Sequence, residues 1–237
     1  MVRRAAAEGV GTFFLLAAVV GSGIMGDRLA GGNTAIALLA NTIATGAALV
    51  ALILTFGPVS GAHFNPAVTL ADASQGGLRW REAPGYIAAQ CLGAVLGVWV
   101  AHLMFGEEMI QVSHHMRAGG GQLLSEFIAS FGLLGAIWGC SRHRAEAVPI
   151  AVGLYITAAY WFTASTSFAN PAVTLARSLT DTFSGIRPAD VPGFMVAQIA
   201  GAMAATVMFR WLAPSLPTRA PAVVVPHTQG KEAARGA

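Results

Sequence analysis

The heptapeptide NPAVTLA occurs twice in this chain, at Asn65–Ala71 and again at Asn170–Ala176. Seven identical residues at two sites, each flanked by long apolar runs, point to an internal duplication. Each copy also has the features of a helix start. An Asn side chain accepts hydrogen bonds from the first free backbone N–H groups, and Pro suits the first turn because it has no N–H to satisfy. Crossing a bilayer needs about 20 apolar residues, far more than either copy supplies. The spacing predicts two half-helices that begin inside a membrane and hold their positive N-terminal ends at its middle.

Composition agrees with a membrane setting. Of 237 residues, 55% are hydrophobic and 11% are charged, whereas soluble domains carry about 25% charge. Cys91 and Cys140 both fall inside apolar runs, so neither a disulfide framework nor a metal site is expected. The net charge of +3 could suit nucleic acid, but basic anchors beside an inner membrane leaflet explain it better. No nucleic-acid partner is expected.

Outward from the repeats, the chain reads as six apolar spans: about 5–25, 34–56, 83–105, 123–140, 148–164 and 191–212. The basic start at Arg3 and Arg4 could open a signal peptide. Against that, Glu8 sits early in the apolar run, no convincing A-x-A cleavage site follows, and five more spans come after. The half-helices fall between spans two and three and between spans five and six. The stretch 215–237, rich in Ala, Pro and charge, reads as a disordered cytoplasmic tail behind a channel domain at 1–214.

Basic residues set the orientation. Arg3, Arg4, Arg79, Arg81, Arg142, Arg144, Arg210, Arg219, Lys231 and Arg235 lie on one side, and only Arg28, Arg117, Arg177 and Arg187 on the other. Both termini are expected in the cytoplasm, with the protein in the inner (plasma) membrane. Three spans per half then make the second half insert upside down. The halves, about 5–105 and 122–213, match beyond the heptapeptide. YIAAQCLGA (Tyr86–Ala94) aligns with FMVAQIAGA (Phe194–Ala202), and Glu8 with Glu126. An inverted repeat places its functional site at the midplane between the halves.

Two NPA motifs in six spans, the run SGAHFNPAVT, the paired Glu8 and Glu126 and the paired Gln90 and Gln198 together resemble the aquaporin (major intrinsic protein) family over about Glu8–Leu212. The resemblance implies an all-α polytopic membrane protein, a bundle of six transmembrane helices with two re-entrant half-helices around a pore. It also implies a homotetramer with one pore per subunit. The half-helices would meet at Asn65, Pro66 and Ala67 and at Asn170, Pro171 and Ala172. There the Asn amides and the carbonyls of the preceding stretches (Gly61–Phe64 and Thr166–Ala169) would exchange hydrogen bonds with a file of small neutral solutes.

Glu8 and Glu126 are the acids placed deep within spans, and such residues are functional suspects. One reading is a proton or sodium coupling site. The other is a pair of buried acceptors that hold the pore-loop N–H groups, supported by His63, Gln90 and Gln198. Symmetric placement favours the second. His114, His115 and Met116 could form a soft metal site, yet adjacent loop residues seldom converge on one ion. No metal, cofactor or enzymatic nucleophile–base set is expected.

Family offsets put the selectivity filter at Thr45, Ala158, Ser167 and Val173. Val173 stands where the family usually has Arg, and neither Thr45 nor Ala158 is the usual bulky group. A wide filter without a fixed positive charge follows as the expectation. Arg177, one turn outward on the same helix face, could restore charge at the mouth or reach lipid head groups. The arginine-free filter resembles that of bacterial aquaporins associated with arsenic resistance. This implies a passive channel for arsenite-type metalloid hydroxides, glycerol and water. A water-selective channel is the nearer alternative, and a coupled secondary transporter the more distant one.

Overall fold

A computed structural model describes residues 1–212, with the side chains of Arg142 and His143 left aside. The expected tail at 215–237 lies outside the described residues. Eight α-helices carry the fold: α1 (Val2–Leu29), α2 (Thr34–Ser60), α3 (Pro66–Gln75), α4 (Ala83–Phe105), α5 (Gly120–His143), α6 (Val148–Phe162), α7 (Pro171–Arg177) and α8 (Val191–Leu212). All but the short α3 and α7 are long and apolar enough to cross a membrane, the spans of α4, α6 and α8 being counted with the short 3₁₀ turns that lead into them. With six crossings, Met1 and Leu212 face the same side.

The span boundaries for α4 and α8 coincide with those read from sequence, α1, α2 and α5 run about a turn longer at one end or both, and α6 ends two residues earlier, at Phe162. The clearest extension is α2, which continues through Gly57 and Pro58 to Ser60 instead of stopping at Phe56. Proline so near a helix end breaks little, because a last-turn residue can lose one hydrogen bond and still be packed. Gly61 then stops the helix in the left-handed conformation at φ 91°.

Both half-helices start as their sequence dictates. Asn65 caps α3 by accepting from Ala67 N, and Asn170 caps α7 by accepting from Ala172 N and Val173 N, each with Pro in the first turn. The two short helices sit between the halves of the bundle, in which α1 packs on α4 and α5 on α8. These two pairings are related by the internal repeat. Gly93 and Gly201 are equivalent positions, and each lets a helix backbone come against its neighbour. A Cβ on Gly93 would sit 2.1 Å from the Gly9 carbonyl oxygen, and one on Gly201 would sit 2.2 Å from that of Phe127. Small residues permit this approach where lipid offers no hydrophobic drive between helices.

Gly201→Ala therefore has to push α8 away from α5, whereas a Cβ on Gly121 meets nothing within 4 Å. Gly201→Ala should lose about 1–3 kcal/mol, read as a lower thermal midpoint in detergent, and Gly121→Ala should match the parent. Equal midpoints for the two variants would refute the close packing.

Candidate functional site

The re-entrant stretches ahead of the half-helices are extended or left-handed, never helical. Ala62, Phe64, Thr166, Ser167 and Ala169 all hold positive φ between 48° and 62° without being glycine. Such conformations cost on the order of 1 kcal/mol or more each and persist only where surroundings impose them. The surroundings here are two buried carboxylates. Glu8 Oε1 accepts from Ser60 Oγ at 2.6 Å and His63 N at 3.0 Å, and Oε2 accepts from Phe64 N at 2.7 Å and Gln90 Nε2 at 2.8 Å. Glu126 Oε1 accepts from Phe168 N at 2.9 Å, and Oε2 from Ala169 N at 2.8 Å and Gln198 Nε2 at 2.6 Å.

Each Gln extends the link. Gln90 Nε2 also donates to Thr69 Oγ1 at 2.9 Å, and Gln198 Nε2 to Thr174 Oγ1 at 2.7 Å. Those hydroxyls in turn donate to the carbonyls of Asn65 and Asn170. Both glutamates are fully buried and neither lines the central cavity. Their oxygens are taken up by the pore loops and by Ser60, Gln90 and Gln198, which leaves neither glutamate open to a coupling ion. Thr69, Thr174 and Ser60 were not singled out in the sequence, and the repeat Thr of NPAVT was the available signal for the first two. His63 lines the cavity, with Nδ1 at 3.1 Å from Thr69 Oγ1 and Nε2 at 3.5 Å from Asp72 Oδ2.

The two half-helices are stitched to each other at the midplane. Asn65 Nδ2 donates to the Ala169 carbonyl at 2.7 Å, and Asn170 Nδ2 donates to the Phe64 carbonyl at 2.8 Å. Since both Asn Oδ1 atoms accept from their own helix N-termini, the NH2 groups are fixed toward the opposite repeat. Each keeps a second N–H, and both residues line a central cavity of about 60 Å³, room for a file of about four waters.

Stripes at four-residue spacing line that cavity: Thr45, Leu49 and Ile53 on α2, and Val148, Val152, Ile156 and Tyr160 on α6. The loops contribute Ala62, Ser167 and Phe168, whose carbonyls accept from no protein group among the described residues. Ser167 Oγ is likewise without a protein partner. The cavity is thus a largely apolar tube to which the loops and half-helices bring carbonyls, amides and Ser167, and the long helices the hydroxyls of Thr45 and Tyr160.

The sequence-derived filter is corrected at one position. Ala158 is exposed on the outside of α6, while Tyr160 is buried, lines the cavity and donates from its hydroxyl to Thr45 Oγ1 at 3.3 Å. Two residues along a helix turn about 200°, so 158 faces away from the stripe that ends in 156 and 160. The re-entrant loop after α6 does not preserve the family's offset, and the four-residue stripe was the signal that would have found Tyr160. Thr45, Ser167 and Val173 do line the cavity, so the aromatic that the sequence reading lacked is present.

Of the two alternatives for Arg177, the structure has the side chain at the mouth. It is 2% exposed and lines the cavity, so it does not reach for lipid head groups. Its guanidinium lies 3.4 Å from the ring centroid of Phe168, and its Nε donates to the Ser184 carbonyl. Arg117, in the connection between α4 and α5, lies 4.9 Å from the same ring. It donates from Nε to the Gly185 carbonyl at 2.8 Å and from Nη1 to the Ser165 carbonyl at 3.1 Å. Burial draws the Arg117 guanidinium below its ordinary range, and the charge of Glu126 opposes that shift. His114 and His115 are exposed on the same connection, near Asp181.

A model of the family described as major intrinsic protein matches residues 1–167 and 140–236. The chain is 57% identical over 212 residues to the aquaglyceroporin AqpS of Rhizobium meliloti (strain 1021), covering 90% of this chain and 91% of that one. It is 34% identical over 210 residues to aquaporin NIP1-1 of Oryza sativa subsp. japonica, covering 86% and 72%. The fold is similar to the X-ray structure of the aquaglyceroporin from Plasmodium falciparum, with TM-score 0.71 and 19% identity over 92% of this chain and 99% of that one.

Glu126→Ala would leave the N–H groups of Phe168 and Ala169 without acceptors at membrane depth, a loss of about 2–6 kcal/mol. The folded, monodisperse fraction in detergent should fall steeply. Glu126→Gln, which keeps one carbonyl oxygen, should lie between it and the parent. A Glu126→Ala protein as stable as the parent would contradict the anchoring role.

Proposed function

The chain belongs to the major intrinsic protein family, and we propose that its selectivity is set where Thr45, Tyr160, Ser167 and Val173 surround the cavity. The protein is a multi-pass membrane protein and a passive channel for small uncharged solutes such as glycerol, not an enzyme. The observation that carries the selectivity reading is the two-sided character of this level. Tyr160 and Thr45 bring hydroxyls to one side, and Ser167 Oγ is free of protein partners. Val173 supplies an apolar wall where a guanidinium would otherwise fill the space.

A polyol presents the matching profile, with a row of hydroxyls along one edge and a carbon chain along the other. Neutral arsenite, As(OH)3, has a similar trihydroxy surface, and water also fits. We assign arsenite-type metalloid hydroxides to the channel together with glycerol and water. At the midplane, Asn65 and Asn170 offer amide donors to the passing oxygen atoms, beside Pro66, Ala67, Pro171 and Ala172 at the tips of the half-helices. Two helix N-termini facing each other there disfavour cations. Glu8, Glu126, Gln90, Gln198 and His63 hold these groups in place.

Residues 1–214 act as one channel domain of two inverted halves, about 5–105 and 122–213. The excess of basic residues on the side of Arg3, Arg4, Arg79 and Arg81 supports cytoplasmic termini and an inner (plasma) membrane location. Outward-facing apolar side chains such as Leu54, Leu92, Leu154 and Val196 suit lipid and the flanks of neighbouring copies in a homotetramer.

Stopped-flow light scattering on reconstituted vesicles tests the solute range. Glycerol and arsenite should enter well above the rate of empty vesicles, alongside fast water. Val173→Arg should lower glycerol and arsenite permeability about tenfold or more while water falls about threefold or less, because the guanidinium narrows the section that only larger solutes need. Water flux alone from the parent protein would favour a water-selective channel and remove the metalloid assignment.

A further inference from the structure

The outer mouth contains a buried cation that the cavity's neutral-solute chemistry does not call for. Arg177 is 2% exposed, and among the described residues no carboxylate pairs with it. Its single acceptor among the described residues is the Ser184 carbonyl, reached by Nε, and Phe168 covers its face at 3.4 Å. Among the described residues the two terminal NH2 groups have no acceptor, and the residue lines the channel. A charge buried at membrane depth without a counter-ion is expensive, and such residues mark pathways for solutes and ions.

Its place in the sequence has a geometric meaning. Val173 and Arg177 are four residues apart on α7, so they share a face, with Arg177 about 6 Å further out along the helix axis. Nothing else on that face can carry charge: Val173 is apolar, and Ser178 donates to the Leu175 carbonyl. Arg117 reinforces the arrangement from a different part of the chain. It ties Gly185 and Ser165 together, which flank the Ser184 carbonyl that holds Arg177 and the Phe168 ring that both guanidinium groups approach.

We infer that Arg177, positioned through Phe168 and Arg117, is an outer cation barrier added to that of the helix N-termini at the midplane, and lies one helical turn outward from the narrow level at Val173. Width and charge selection then reside in separate residues. Val173 leaves room for a polyol-sized solute, and the guanidinium repels protons, sodium and other small cations before they reach that level. The free NH2 groups donate to the oxygens of neutral solutes as they enter. Arg117 is a positioning residue and adds a second positive charge behind the ring. The inference rests on the channel reading above and deepens it.

The test uses the full chain in vesicles with a trapped pH-sensitive dye, under a potassium gradient clamped by valinomycin. Water and glycerol fluxes are recorded from the same preparations. The parent protein should pass glycerol and stay tight to protons. Arg177→Gln should raise protein-dependent proton flux about tenfold, since the repulsion of a nearby charge in a low-dielectric channel is removed. Arg177→Lys, which keeps the charge, should stay near the parent value. The double variant Val173→Arg with Arg177→Gln puts the charge one turn inward. It should regain proton tightness while losing glycerol flux, an outcome that a merely structural role for Arg177 would not produce. Arg117→Gln, outside the half-helix, should raise proton flux about threefold by loosening the Phe168 clamp.

Proton flux equal to the parent in Arg177→Gln vesicles that still pass water would overturn the inference. So would a leak in Arg177→Lys as large as that in Arg177→Gln. If Arg177→Gln fails to reach the membrane folded, an unchanged proton flux in Arg117→Gln, together with a leaky double variant, overturns it as well. A parent protein that passes no glycerol would instead refute the solute reading and leave the barrier to be judged on proton flux alone.

Discussion

The structure depends on the reciprocal amide bridge at the midplane, in which Asn65 donates to the Ala169 carbonyl and Asn170 to the Phe64 carbonyl. A helix that starts inside a bilayer exposes backbone N–H groups that lipid cannot satisfy. One solution is to set two such starts against each other, so that each cap residue serves its own helix with oxygen and the other repeat with nitrogen. The bridge needs two copies of the same residue related by an in-plane two-fold axis. That is why the heptapeptide is duplicated, and why the second half must be inverted. A single copy would have a cap but no partner.

The bridge cannot hold by itself, because the backbone leading into it is strained at five non-glycine positions. Glu8 and Glu126 impose that backbone by accepting its N–H groups. A carboxylate is better suited than an amide because it has acceptors only. It can take three or four donors without presenting an N–H to the loop, and hydrogen bonds to a charged acceptor are about twice as strong as neutral ones. Gln90 and Gln198 have one free oxygen each, yet their nitrogens join the carboxylates to the Thr69 and Thr174 hydroxyls. Charge, loop, half-helix and long helix are therefore one connected unit in each repeat. The close helix contacts at Gly93 and Gly201 bring the glutamate-bearing helices near enough for that unit to form.

Most of this was legible in the chain because each requirement uses a residue type with few alternatives. Asn before Pro announced the caps, two intramembrane acids announced the loop anchors, and aligned Gln and Gly announced the repeat. What escaped the sequence lay where the two halves differ. The family offset from Asn170 points to Ala158 on α6, but a re-entrant loop has no fixed rise per residue, and Ala158 is exposed on the outside of the helix. Tyr160 was recoverable from Val148, Val152 and Ile156, which share its helix face. The role of Arg117 was not recoverable, because it acts through carbonyls of Ser165 and Gly185 that only the folded connection brings together.

The exchange of positions along α7 resolves an apparent conflict between passing larger solutes and staying closed to ions. An arginine directly after the second NPA motif both narrows a pore and charges it, since one side chain occupies the space where its charge acts. Moving the guanidinium four residues outward separates the two effects. Coulomb repulsion in a low-dielectric wall falls off slowly, roughly as the inverse of distance, whereas steric exclusion vanishes within a van der Waals contact. A four-residue shift of about 6 Å therefore abandons the narrowing and retains much of the barrier. It also requires a new support, because a buried guanidinium without a carboxylate must be held by neutral groups. Phe168 supplies its face and the Ser184 carbonyl its acceptor, and both are available because the outer connection folds back over the mouth through Arg117. The apolar residue at 173 and the arginine at 177 thus divide between two positions of α7 what one arginine at 173 would combine, with Phe168 as the neutral surface that holds the guanidinium.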